Sequence, residues 1–281
     1  MRNINITAKD GAVIPAVVCN FEETAGKGVV IVSYGFGEHM EMYTELAERL
    51  GQAGYSVILF EQRGHGAPPD GRKNWFGIIP DYQYFLDDIN SVSVAARQMA
   101  PETPIVLYGH SMGGNIVINT LLRQSPECTC AILEAPWLGL NKGPGPFVIG
   151  LVKVLSRILP NMTIVNKLEI NDLSGDPERA ARYTTDPLYH NRISFRMFTG
   201  IDAACSYAMA NAARMPVPAY IAYGKSDRII SNQAIIAFSA NSGGMVTVKE
   251  YDSCHAIHND LKREEYFADV VAFLDMHCAG D

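Results

Sequence analysis

The chain has 281 residues, of which 48% are hydrophobic and 19% are charged. This length suits one large α/β domain or two small ones, and the hydrophobic content is enough for a sizeable core. The formal net charge of −7 argues against nucleic acid as a partner and against a general basic patch for membranes.

The N-terminal residues 1–7 contain neither the apolar core of a secretory signal nor a small-residue cleavage site. No run of about 18 apolar residues is present, so we expect no transmembrane span. The six cysteines are scattered, and Cys128 and Cys130 lack the spacing of a redox or zinc pair. We therefore expect reduced thiols and a cytoplasmic protein.

The first part of the chain alternates strand-like and helix-like segments. Residues 4–7 and 13–19 flank a Lys9-Asp10-Gly11 turn and predict a β-hairpin. Continuous β-branched or apolar runs, typical of strands buried on both faces, occur at 28–33, 55–60, 105–108 and 131–133. Helices are predicted over 42–52, 82–99 and 115–122.

The last part repeats this alternation, with strands at 219–223 and 246–251 and helices at 232–239 and 264–276. The pattern predicts an α/β fold with a mostly parallel sheet and helices on both faces. Residues 137–213 contain no buried-strand pattern. Because ligands of such folds bind where the strands end, we expect 137–213 to be a helical cap between core segments 1–136 and 214–281.

The pentapeptide Gly109-His110-Ser111-Met112-Gly113 lies directly between a predicted strand and a predicted helix. Strand, G-x-S-x-G and helix is the context of a nucleophile elbow, in which a sharp turn exposes the central serine. The two glycines keep side chains away from the neighbouring strand and helix. The motif therefore predicts Ser111 as a nucleophile.

A serine nucleophile needs a histidine base and a carboxylate that orients it, and in this architecture they follow the serine as acid and then histidine. Asp227 follows the predicted strand 219–223, and His255 follows the strand 246–251. Parallel strands end on the same side of a sheet, so we expect Ser111, Asp227 and His255 to converge.

Other residues compete for these roles. Asp202 and Asp252 are alternative acids, and His258 is an alternative base, but their positions fit the fold less well. His255, His258 and Asp260 do not form a recognisable metal-ligand pattern, so we expect no metal and no cofactor.

The developing oxyanion needs two fixed backbone N–H donors. Met112 follows the nucleophile and is the first candidate. Phe36, which lies between two glycines after an early strand, is the second. Glu38 follows this loop, where it either binds a polar end of the substrate or supports the loop, and we favour support.

Three segments carry a family resemblance: Gly35-Phe36-Gly37-Glu38-His39, Arg63-Gly64-His65-Gly66 and Gly109-His110-Ser111-Met112-Gly113-Gly114. They resemble the monoglyceride lipase and lysophospholipase-like branch of the α/β-hydrolases, which overlaps in sequence with the serine aminopeptidases. Asp186-Pro187-Leu188 and the loops of the acid and base also match, so the resemblance covers nearly the whole chain.

The resemblance implies a lid-covered esterase that removes one acyl chain through an acyl-serine, without a cofactor. The family's nucleophile, acid, base and oxyanion positions fall on Ser111, Asp227, His255, Phe36 and Met112. The family usually has a histidine where this chain has Tyr34, a departure that bears on the support of the oxyanion loop and on the acyl pocket.

The substrate is expected to be a small acyl ester, with lipids among the candidates. Residues 147–159 are apolar on more than one helical face, so they either pack on the core, line an acyl tunnel or touch a lipid surface transiently. The candidate substrate contacts are Tyr34, Glu38, Trp137, Phe147 and Leu151.

Three alternatives to a monoacylglycerol lipase or lysophospholipase stay open, because a fold does not fix a substrate. One is a general or phenolic-ester carboxylesterase. The second is an aminopeptidase or amidase, which needs an acidic or polar pocket for an amino terminus. The third is a non-catalytic ligand-binding relative, against which the complete triad argues.

Overall fold

The computed structural model describes residues 1–21, 26–68, 71, 75–166 and 168–278. The strands of this part of the chain are β1 Arg2–Thr7, β2 Val13–Cys19, β3 Val29–Ser33, β4 Ser56–Phe60, β5 Ile105–His110, β6 Cys130–Glu134, β7 Thr163–Val165, β8 Arg192–Ser194, β9 Ala219–Gly224 and β10 Val246–Tyr251. The helices are α1 Thr44–Gln52, α2 Gln83–Met99, α3 Met112–Gln124, α4 Pro146–Ile158, α5 Pro177–Thr185, α6 Phe195–Ala210, α7 Asn232–Ala240 and α8 Arg263–Cys278.

Eight strands form one sheet in the order β1-β2-β4-β3-β5-β6-β9-β10. The hairpin β1–β2 is antiparallel and joins β4 in an antiparallel pair, whereas every pair from β4 to β10 is parallel. The prediction of a mostly parallel sheet with an antiparallel edge is confirmed. The central strands β3, β4, β5 and β6 are buried at every position, which explains their continuous apolar sequences.

Two hydrophobic cores lie on opposite faces of the sheet. Val29 and Ile31 of β3 belong to the core that contains residues of α2, α3, α6 and α7. Val30 and Val32 belong to the other core, which contains residues of α1 and α8. Side chains alternate between the faces of a strand, so helices on both sides are needed to cover one apolar run. The predicted helix layers are confirmed.

Residues 137–213, which we call the inserted segment, leave the sheet after β6 and return at β9. The inserted segment holds α4, α5, α6 and the antiparallel pair β7–β8. The sequence did not predict β7 and β8, because three residues are too few to show a strand pattern. Helix α6 packs on α3, and the amide of Asn119 donates to the carbonyl of Ala204 at 3.2 Å. Helix α4 has no buried residue and rests on α6.

Among the described residues, we find no helix with the length and apolar character that a bilayer crossing requires.

The turn between β5 and α3 is unusually tight. Ser111 has φ 52° and ψ −114°, outside the regions that non-glycine residues normally occupy. A Cβ atom at Gly113 would overlap the backbone carbonyl of Ser33 at the end of β3. The first turn of α3 therefore lies directly against β3, and only glycine allows this approach.

We expect Gly113→Ala to lower the free energy of unfolding by about 1–3 kcal/mol or more, because overpacking against backbone cannot be relieved by a rotamer change. Gly150→Ala is the matched control. Gly150 lies in the exposed helix α4 with open space around it, so this substitution should raise the free energy of unfolding by about 0.5–1 kcal/mol. Denaturant unfolding measures both, and a Gly113→Ala protein of native stability would contradict the close approach.

Candidate active site

Ser111, Asp227 and His255 lie in the loops that follow β5, β9 and β10. Nδ1 of His255 and Oδ2 of Asp227 are 2.6 Å apart. The other carboxylate oxygen of Asp227 accepts the backbone N–H groups of Ile229 and Ile230 at 2.8 and 3.0 Å. His255 and Ser111 line the same small cavity. Both oxygens of the Asp227 carboxylate are therefore held by hydrogen bonds. Because Nδ1 of His255 is bonded to Asp227, Nε2 is the ring nitrogen that is free to accept a proton.

His255 and Asp227 each stabilise the charged form of the other. Burial alone lowers the pKa of His255, but the neighbouring Asp227 raises it, and the net result is a pKa above the ordinary histidine value. Burial alone raises the pKa of Asp227, while His255 and the two backbone N–H groups lower it, and the net pKa lies below the ordinary value. Asp227 is therefore ionised at neutral pH and stabilises the imidazolium that forms when His255 accepts a proton.

The strained backbone of Ser111 is held from several directions. Its N–H donates to the carbonyl of Glu134 at 2.9 Å, and its carbonyl accepts the N–H of Trp137 at 2.8 Å and that of Asn115 at 3.1 Å. Strained backbone persists only where its surroundings determine it in this way. The serine side chain is thereby kept at the cavity.

The two predicted oxyanion donors lie on either side of this turn. Met112 is the first residue of α3, so its backbone N–H has no partner within the helix. Phe36 lines the cavity and belongs to the loop after β3. The next residue, Gly37, has φ 81°, and its carbonyl accepts the N–H of His190 at 2.9 Å. The inserted segment thus fixes the loop that presents Phe36.

Glu38 lines the cavity but uses its carboxylate for the protein. Oε2 accepts the N–H of Gly35 at 2.8 Å and the hydroxyl of Tyr43 at 2.6 Å. Oε1 accepts the hydroxyl of Tyr183 at 3.2 Å. These bonds tie the loop after β3 to the core and to the inserted segment, which favours the role of support over that of substrate contact.

A second histidine–carboxylate pair lies beneath the first. Oε1 of Glu134 accepts the N–H of His258 at 3.0 Å, and Nδ1 of His258 lies 2.9 Å from both oxygens. Burial alone raises the pKa of Glu134, but His258 and other neighbours lower it to about 2. Burial alone lowers the pKa of His258, and Glu134 raises it above the ordinary value. His258 is therefore a buried, paired histidine rather than a surface one.

Sequence reasoning did not single out Glu134, although an acidic residue that ends an apolar strand indicates a buried partner. His110, Glu134 and His258 offer ligand atoms within 4.8 Å of one another. Two of these groups already bond each other directly, and a zinc ion would need them apart around a common centre. We interpret this cluster as a hydrogen-bonded network.

Tyr34 does not line the cavity around Ser111. Its side chain is fully buried, and its hydroxyl accepts the N–H of Gln62 at 2.7 Å while its carbonyl accepts the Gln62 amide at 2.9 Å. The structure therefore places Tyr34 in the core, where it supports the loop that follows β3, and does not bring it to the cavity with Ser111.

Phe147 and Leu151 are also placed away from the cavity, with 85% and 51% of their surfaces exposed. Ile149 is the residue of α4 that faces inward, toward a neighbouring cavity. Two residues correspond to about 200° around a helix, so Phe147 and Leu151 point opposite to Ile149. The structure therefore does not bring the candidate substrate contacts Phe147 and Leu151 to either cavity, whereas Ile149 lines the second one.

Trp137 lies between two cavities. The cavity at Ser111 is small, about 30 Å³, and its apolar walls include Leu140 and Leu173. A second cavity of about 380 Å³ shares Trp137 and Leu140 and extends along α6 to Phe198 and Met209. Trp137 and Leu140 therefore form the boundary that the two cavities share.

Several known proteins resemble the chain. A monoacylglycerol lipase of Mycolicibacterium smegmatis is 27% identical over 260 residues, which cover 91% of this chain and 90% of that protein. Mouse monoglyceride lipase is 27% identical, with 86% of this chain and 80% of that protein covered. The crystal structure of Paleococcus ferrophilus monoacylglycerol lipase superposes with a TM-score of 0.83 and 26% identity, and covers 99% of this chain and all of that one.

The family model for serine aminopeptidase S33 matches residues 24–262, which is most of the chain. This match agrees with the mostly parallel sheet, the tight turn at Ser111 and the histidine–carboxylate pairs. It assigns the chain to a class of enzymes and to a fold. The chain belongs to the serine aminopeptidase S33 family and is a hydrolase with the α/β-hydrolase fold.

Proposed function

We propose that the chain is a serine carboxylic-ester hydrolase that cleaves monoacylglycerols. The observation that carries the proposal is the 2.6 Å pair of His255 and Asp227 at the cavity lined by Ser111. The names of the similar lipases from a bacterium, a mouse and an archaeon support the choice of substrate.

In the proposed reaction, Oγ of Ser111 attacks the ester carbonyl and gives its proton to Nε2 of His255. The N–H groups of Phe36 and Met112 hold the oxyanion. The bond to the alcohol then breaks as His255 returns the proton to the leaving oxygen. A water molecule, deprotonated by His255, attacks the acyl-serine; the bond to Oγ of Ser111 then breaks, the carboxylic acid leaves, and His255 returns the proton to Oγ. Asp227 orients the imidazole and balances its charge.

The surroundings of the site favour an ester over a peptide. An aminopeptidase needs a carboxylate free to bind an amino terminus, but Glu38 at the cavity has both oxygens bonded to the protein. The neighbouring 380 Å³ cavity is lined mostly by apolar side chains, including Ile149 and Phe198, with Asp202 and Ser206 as its polar members, and we assign it to the acyl chain.

We further propose that residues 137–213 act as a cap between the core segments 1–136 and 214–281. Parts of it are bonded firmly to the site, since the N–H groups of His255 and Ala256 donate to the carbonyls of Asp172 and Leu173. Helix α4 lacks buried residues. Access to the neighbouring cavity, which Ile149 of α4 lines, is therefore assigned to α4 and its flanks rather than to the whole segment.

The outer face of α4 is a candidate surface for lipid. Phe147, Leu151, Val154 and Ile158 follow the helical repeat and are each at least half exposed. The cations Lys153 and Arg157 lie on the same helix. We propose a transient contact of this face with a lipid surface, as for interfacial amphipathic helices.

All six cysteines are free, in keeping with a cytoplasmic location.

Ser111→Ala should reduce kcat on p-nitrophenyl butyrate by about 10⁴-fold or more, because the nucleophile is lost while binding is kept. Steady-state kinetics and labelling by a fluorophosphonate probe measure the effect. Ser91→Ala, which changes a serine of α2 far from the site, should keep both activity and labelling. Near-native turnover of Ser111→Ala would show that another residue is the nucleophile.

Among monoacylglycerols and p-nitrophenyl esters from acetyl to oleoyl, kcat/KM should rise with acyl length until the neighbouring cavity is filled. Each buried methylene contributes at most about 0.8 kcal/mol, or about fourfold. Ile149→Trp should fill this cavity and suppress long-chain esters selectively, whereas Phe147→Trp on the opposite face of α4 should not. An unchanged chain-length profile in Ile149→Trp would contradict the acyl assignment, and activity limited to acetyl and butyryl esters would favour a general carboxylesterase.

Phe147→Asp combined with Leu151→Asp should weaken co-sedimentation with phosphatidylcholine vesicles, because the apolar face of α4 loses its affinity for the interface. Hydrolysis of monoacylglycerol in those vesicles should fall, while hydrolysis of soluble p-nitrophenyl butyrate should not. Val94→Asp, which alters a residue of α2 that is 58% exposed, is the control. Equal vesicle binding by all three proteins would exclude α4 as the contact surface.

A further inference from the structure

Glu134 is the last residue of β6 and is fully buried. In the sheet it lies opposite His110, the residue before the proposed nucleophile. Its backbone carbonyl accepts the N–H of Ser111 at 2.9 Å. The backbone of Glu134 thus contacts the strained turn directly.

The side chain of Glu134 contacts the loop of the proposed base. Its carboxylate accepts the backbone N–H of His258 at 3.0 Å and lies 2.9 Å from Nδ1 of the same residue. His258 follows His255 by three residues and lies in a short 3₁₀ helix, residues Ile257–Asn259. One residue therefore joins the turn that carries Ser111 to the loop that carries His255.

Further contacts restrain the side chains of Glu134 and His258. The hydroxyl of Tyr108 donates to Glu134 and accepts from Tyr266 at 3.1 Å. The ring of His258 stacks on Tyr43 with centroids 4.9 Å apart. The ring of His110 lies 5.1 Å from that of His258 and 4.9 Å from that of His255. The rings around the proposed base are therefore packed against one another.

Stability alone does not explain a buried ion pair at this place. Two charges lose their hydration on burial, and a buried pair is often no more stable than apolar side chains of similar volume. The pair of Glu134 and His258 does what apolar residues could not do, because it fixes the direction and distance of one loop relative to another through bonds of defined geometry.

We propose that Glu134, acting through His258, is a positioning residue that sets the placement of His255 relative to Ser111. It touches neither substrate nor the reacting atoms. The proposal rests on the proposed function of Ser111 and His255, and it adds a residue that holds them in register. Small errors in the placement of His255 relative to Ser111 should lower the rate strongly, because a shift of about 1 Å can reduce a rate by about 100-fold.

Glu134→Gln is the first test, since it keeps the size of the side chain and removes its charge. We expect kcat on p-nitrophenyl butyrate to fall by about 10–100-fold with little change in KM, and the rate of fluorophosphonate labelling to fall in parallel. Asp88→Asn is the matched control. Asp88 lies on α2 and is a buried carboxylate paired with Arg63 of the loop after β4, so this variant should lose stability but keep its kcat.

A double-variant cycle separates positioning from simple loss of stability. If Glu134 acts through His258, Glu134→Gln combined with His258→Ala should lose no more activity than the more damaged single variant. His258→Asn keeps an N–H donor near the place of Nδ1 and should retain more activity than His258→Ala. Fully multiplicative losses would show that the two residues act separately and would overturn the proposal.

Tyr108→Phe keeps the proposal testable if Glu134→Gln does not fold. It removes one donor to Glu134 and should lower kcat in the same sense by a smaller factor. A folded Glu134→Gln or Tyr108→Phe protein with native kcat would falsify the positioning role. Ser111→Ala in the same assay separates the two hypotheses: if it is inactive while Glu134→Gln is native, only the role of Glu134 fails.

Discussion

The backbone of Ser111 is the constraint on which the rest of the site depends. A non-glycine residue at φ 52° and ψ −114° is costly, and the neighbouring chain keeps it there through bonds to Glu134 and Trp137. The same turn places Met112 at the start of α3 and brings Gly113 against the end of β3. The loop after β3 is therefore next to the serine because the turn is tight, and both proposed oxyanion donors follow from one local conformation.

Around this turn, the site is assembled from loops that would be far apart without the sheet. Parallel strands deliver the loops after β3, β5, β9 and β10 to one edge. The inserted segment then joins them. It accepts the backbone N–H of His255 through the carbonyl of Asp172, and it donates to Gly37 from His190. The inserted segment therefore restrains both His255 and the loop after β3, whereas α4 makes none of these bonds.

The parts of this arrangement that depend on local sequence could be predicted. The strands β3 to β6 have apolar runs of the right length, and the elbow around Ser111 has glycines at fixed offsets. Asp227 and His255 follow from strand order. The parts set by tertiary contact could not be predicted. The outward direction of Phe147 and Leu151 depends on how α4 meets α6, and the inward direction of Tyr34 depends on a bond to Gln62 in another loop. The pairing of Glu134 with His258 joins residues 124 positions apart, and no local pattern contains it.

Three buried carboxylates at the site are held in the same way. Asp227, Glu134 and Glu38 are each buried, and each accepts bonds both from backbone N–H groups of loops at the site and from a side chain. Burial of a carboxylate costs free energy unless such bonds compensate it. A site built from loops needs this kind of restraint, because loops lack the ladder of bonds that orders a helix or a sheet. Asp227 therefore orders the imidazole of His255, and Glu38 orders the loop after β3. Glu134 orders the loop of His255 and His258 relative to the turn at Ser111. The ring of His110 lies next to Glu38, His255 and His258, so one buried side chain is in contact with a member of each of the three groups.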